Sequence, residues 1–64
     1  MTWIKYIPQK PPPPGIYLCY WQQDPHHWGY MVFSWIGDRW QNHQSLHSHN
    51  GTNYVTHYSK LSKP

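Results

Sequence analysis

The sequence predicts a mainly β fold. It should be a small antiparallel meander of three to four strands, with an extended polyproline arm at the N-terminus packed on it. Three observations carry this. The chain has 64 residues, room for a single domain spanning 1–64. Its aromatic content is 19% against 11% charged residues, the reverse of a disordered composition. No segment holds a helical period for longer than a turn, whereas several short runs alternate or are rich in β-branched and aromatic residues. A chain this short buries only about 60% of the surface its unfolded form exposes. The one cysteine, Cys19, rules out an internal disulfide, so large rings must supply the core volume. Trp3, Trp21, Trp28, Trp35, Trp40, Phe33 and six tyrosines can do so, each ring burying roughly 150–250 Å².

The elements follow in order. "TWIKYI" (2–7) suits a short edge strand or an extended arm. Pro8 and the run Pro11 to Pro14 exclude helix interior and central strand. As polyproline II, four prolines span on the order of 12 Å, a stiff brace about as wide as a small sheet. Gly15 ends it. "IYLCYW" (16–21) is the best strand, with Tyr17, Cys19 and Trp21 on one face and Ile16, Leu18 and Tyr20 on the other. "QQDPHH" (22–27) is a polar turn. In the second strand, "WGYMVFSWI" (28–36), Trp28, Tyr30, Val32 and Ser34 share one side, and Met31, Phe33 and Trp35 the other. "GD" (37–38) signals a hairpin into a third short strand, "RWQN" (39–42). Residues 43–53 have one apolar side chain, Leu46, and contain the turn dipeptide Asn50-Gly51, so they read as a His-rich loop. "YVTHYSKL" (54–61) is the last strand.

Function is less legible. A net charge of +3 comes from scattered residues, Lys5, Lys10, Arg39, Lys60 and Lys63, against only Asp24 and Asp38. That weakly favours an anionic partner. His43, His47 and His49 are spaced closely enough to be weak zinc candidates, but serine and asparagine around them fit a solvated loop. No metal or other cofactor is expected. His57 reads as a half-buried ring bonded to backbone, Cys19 as a packed thiol, and no serine or carboxylate completes a catalytic set, so no enzyme is expected. Lys10 beside the prolines has the flavour of an SH3-type ligand, yet a Trp-Ile pair precedes the run and a strand follows without a spacer. The prolines are expected to hold the fold. More rings are present than so small an interior hides, and exposed aromatic patches mark contact sites. Trp21, Trp28, Tyr30 and Trp40, with Arg39 as a charged anchor, are the expected partner-binding residues. No basic segment leads into an apolar run after Met1, and no stretch nears the roughly 20 apolar residues of a spanning helix, so neither export nor a membrane is expected.

Trp3-Ile4 at the start, Pro14-Gly15-Ile16-Tyr17-Leu18 before the first long strand, and "THYSKLSKP" (56–64) at the close form a set. It resembles the small domain of unknown function 551, frequent in tailed phages and prophages. The closing motif matches at Thr56, His57, Leu61 and Pro64. Tyr58 stands where the family usually has Trp, and Ser62 where it usually has Pro. The resemblance implies a β-rich fold and a phage setting, hence the cytoplasm of a bacterial host, and implies no activity. The expected function is a non-enzymatic protein that binds and inhibits or redirects a host protein, such as a defence or transcription system. Single-stranded nucleic acid or a nucleotide, stacked on exposed rings, is the alternative partner; a structural zinc-binding module is a further one. A homo-oligomer through an open sheet edge is also expected to be possible.

Overall fold

The computed structural model describes residues 2–42 and 50–61. Five strands form one antiparallel sheet: β1 (Ile4–Lys5), β2 (Gly15–Asp24), β3 (His27–Trp35), β4 (Trp40–Asn42) and β5 (Val55–Lys60), in the order β1-β5-β2-β3-β4. A 3-10 turn, Asn50–Asn53, precedes β5. The fold is mainly β and antiparallel, as the alternation predicts. β2, β3 and β4 are the expected meander. Five strands are seen because the N-terminal arm contributes one, with Ile4 opposite Tyr58 and Lys5 opposite His57. The last strand lies beside β2, between it and the arm, and does not extend the meander past β4.

Local chemistry sets each turn. Pro25 and His26 cap the β2–β3 hairpin, where Asp24 accepts a hydrogen bond from the His26 N–H at 2.8 Å. The β3–β4 turn passes through Gly37 at φ 110°, a conformation that side chains rarely adopt. It is closed by the Ile36 N–H donating to the Arg39 carbonyl at 3.1 Å. The Tyr54 N–H closes the 3-10 turn onto the Gly51 carbonyl at 3.0 Å.

The sheet has one covered face. Tyr17 and Cys19 from β2, Phe33 and Trp35 from β3, Trp40 from β4, and Val55 and Tyr58 from β5 form the buried core. The 3-10 turn packs against β2, β3 and β4, and Tyr6 and Met31 pack against the core. The rings meet mostly edge to face: Trp35 and Trp40 at 5.1 Å and 65°, Tyr17 and Tyr58 at 5.3 Å and 75°, Tyr17 and Trp40 at 5.8 Å and 89°. Such pairs add about 0.5–1.5 kcal/mol each beyond their buried area, which is how a core without a disulfide reaches useful stability. The arm joins in. Tyr6 lies 5.7 Å from Trp35 and 5.6 Å from Trp40, and its N–H donates to the Thr56 carbonyl at 2.8 Å. Pro12 is buried, and the Tyr17 hydroxyl donates to the Pro13 carbonyl at 2.6 Å.

Candidate functional site

The opposite face of the sheet is the candidate site. An antiparallel sheet with one covered face ordinarily shows polar residues on the other. Here the open face carries rings. Register places Lys5 of β1, His57 of β5, Tyr20 of β2 and Tyr30 of β3 in one transverse row across four strands. Trp28 stands two residues from Tyr30 on the same side of β3, and Trp3 two residues from Lys5. Trp3, Tyr20, Trp28, Tyr30 and His57 together line an open depression of about 450 Å³. Tyr30 keeps 59% of its surface exposed and Trp28 53%, the two most exposed large apolar side chains among the described residues.

The rings are inclined to one another. Tyr20 meets Tyr30 at 5.2 Å and 53°, Trp28 meets Tyr30 at 6.4 Å and 89°, Tyr20 meets Trp28 at 6.2 Å and 40°, and Trp3 meets Tyr30 at 5.9 Å and 40°. They therefore wall a hollow and do not lie flat as a platform. A β-bulge sets His57 in the row: Tyr20 pairs with His57 but Trp21 with Val55, leaving Thr56 as the extra residue. The Thr56 hydroxyl donates to the Tyr20 carbonyl at 3.3 Å, and its oxygen lies 3.0 Å from His57 Nδ1. Because the hydroxyl has spent its one proton, His57 Nδ1 is the donor in that contact, which leaves Nε2 available on the ring. Among the described residues the side-chain partner of this histidine is the Thr56 hydroxyl, not a carboxylate.

The sequence-derived candidates divide. Trp28 and Tyr30 lie on the open face. Trp40 is only 5% exposed and belongs to the core, and Trp21 packs partly buried against it, so neither lines the depression. Arg39 lies in the β3–β4 turn, highly exposed, 3.6 Å from Asp38 and away from the face. Trp3, Tyr20 and His57 were missed as site residues. The alternation of "IYLCYW" already put Tyr20 opposite the core residues, and pairing Tyr20 with Tyr30 would have found it. Trp3 carried no such signal, because its place depends on the arm pairing with β5.

Other chemistry lies off the face. Asp24 bridges the hairpin, both its oxygens 2.8 Å from His27 Nδ1. That hydrogen bond, with the His26 N–H, holds its carboxyl below the usual aspartate range. Burial pushes the Cys19 thiol up to about 12, far from a nucleophilic thiolate. His43, His47 and His49 lie outside the described residues; among those described, no group of three metal-ligating side chains converges. No helix among them is long and apolar enough to cross a membrane. No family model, curated protein or solved structure matches the chain.

Proposed function

We propose that this chain is a small non-enzymatic binding protein of the phage type it resembles, which binds a host protein through the ring-lined sheet face and inhibits or redirects it. The observation that carries this reading is the cluster of Trp3, Tyr20, Trp28, Tyr30 and His57 around one open hollow. Trp and Tyr are the residues on which protein interfaces concentrate their energy, and they do so where a partner side chain fills a pocket. Rings inclined by 40–89° suit a protruding side chain better than a stack of parallel bases. Single-stranded nucleic acid is the second reading, and the row of Lys5, His57, Tyr20 and Tyr30 favours it by joining positive charge to rings.

The test is affinity capture from bacterial lysate with the wild-type chain and with the double variant Trp28→Ala/Tyr30→Ala. One stoichiometric protein held by the wild type and lost by the variant supports the proposal. Recovery of nucleic acid that falls steeply with salt overturns it in favour of the second reading. A protein held equally by both baits moves the contact off this face. Metal analysis of untagged protein decides the zinc alternative for His43, His47 and His49.

A further inference from the structure

The face has an unusual hydrogen-bond inventory. Trp3 and Trp28 offer indole N–H groups, and Tyr20 and Tyr30 offer phenol O–H groups. None has a hydrogen-bond partner among the described residues. The hollow is thus walled by apolar rings whose polar tips donate. The complementary ligand is apolar in bulk and rich in unpaired acceptors. A polyproline II segment has this character: it forms no internal hydrogen bonds, and its prolines have no N–H, so their carbonyls look outward for donors.

The chain already makes such a contact within its own fold. Pro12 is buried, and the Tyr17 hydroxyl donates to the Pro13 carbonyl at 2.6 Å. That engagement takes Pro12 and the Pro13 carbonyl out of reach of a second copy, and the exposed Pro11 and Pro14 that flank them do not make the run of about four to five consecutive free residues that the row would span. Charge orients the ligand. Lys5 stands at one end of the transverse row, while Asp24 is tied to His27 in a hairpin and Asp38 sits beside Arg39 in another. Neither carboxylate lines the hollow. The row crosses three strand spacings, roughly 14 Å, the length of about four to five polyproline II residues. We infer that the ring face takes a proline-rich segment of the partner protein in polyproline II conformation, with an acidic residue at the end facing Lys5. This rests on the face being a protein contact, as proposed above.

Tryptophan fluorescence and two-dimensional NMR titrations of the full chain test it with three probes. The first is a synthetic peptide of two aspartates followed by five prolines, the second has glycine at each proline, and the third is an oligothymidylate. The expected result is shifts confined to Trp3, Tyr20, Trp28, Tyr30 and His57, with the glycine peptide at least about tenfold weaker for want of preorganisation. Tyr30→Phe, which keeps the ring and removes the donor, weakens the proline peptide several-fold with the fold intact. Lys5→Glu weakens the aspartate–proline peptide. Equal binding of the glycine peptide, no binding of either peptide, or tighter binding of the oligothymidylate overturns the inference. If the peptides fail while a captured host protein is still lost in Trp28→Ala/Tyr30→Ala, the protein-contact reading stands and only the polyproline ligand falls.

Discussion

At the scale of single residues, Cys19 sits at the centre of the core with no exposed surface and a thiol raised to about 12 by burial, partly offset by a backbone hydrogen bond from Phe33. The sign of its linkage follows. Well below pH 9 the thiol is protonated whether the chain is folded or not. Above it the unfolded chain ionises first, so stability falls as pH rises toward 12, by up to about 1.4 kcal/mol per pH unit. Tyr17, also raised by burial and by the neighbouring Tyr58, adds in the same direction. Denaturation at pH 8 and pH 10.5 should show a smaller loss in Cys19→Ala than in the wild type. The wild-type thiol should stay inert to a disulfide reagent at pH 8 until denaturant is added. Tyr17→Phe removes only the hydroxyl that reaches Pro13, and chemical denaturation should show a loss of about 1 kcal/mol. Cys19 as a packed thiol was legible from its place between Leu18 and Tyr20 in an alternating strand. The Tyr17 hydroxyl's acceptor was not, because it depends on how the arm returns to the sheet.

At the scale of elements, the turns and the arm decide which residues share a face. Gly37 holds φ 110°, and the space around a Cβ there is open, so strain and not a clash governs substitution. Gly37→Ala should cost about 1 kcal/mol, read by thermal denaturation. The same turn explains why Trp40 was misplaced. Alternation fixes sides within β2 or β3, but after a turn the side of the next strand depends on turn geometry, which "GD" does not specify. Trp35 pairs with Trp40 and carries it to the core. Likewise, no alternation pattern states that β5 lies between β1 and β2, since strand neighbours are a property of the whole packing. The arm's packing on the sheet was legible from its prolines and rings. Removing residues 1–14 deletes β1, takes Tyr6 from Trp35 and Trp40, and uncovers the site of Pro12. The melting temperature should fall by at least about 10 °C; an unchanged value would show that the sheet stands without its brace.

At the scale of the whole molecule, the rings are divided between a buried face and an open one. A domain of this length has a net stability of only about 3–10 kcal/mol, so rings that hold the core and rings left in water should respond very differently to truncation. Phe33 has no exposed surface, and Phe33→Ala should cost about 3–5 kcal/mol, enough to unfold much of the population. Tyr30, 59% exposed, makes ring contacts with Trp3, Tyr20 and Trp28, and Tyr30→Ala should cost roughly 1 kcal/mol. Solvent quenching reads the same division without mutation. Trp35 and Trp40, each 5% exposed, should resist acrylamide, while Trp28 and Trp3, at 53% and 38%, should be quenched readily. Trp28→Phe should then remove much of the quenchable signal and leave the melting curve nearly in place. Partner binding gives the decisive version. A partner seated in the hollow should shield Trp28 and Trp3 and leave Trp35 and Trp40 as they were. Shielding of the core pair alone, or of none, would mean that the exposed rings are a by-product of a ring-rich sequence and that the working surface lies elsewhere.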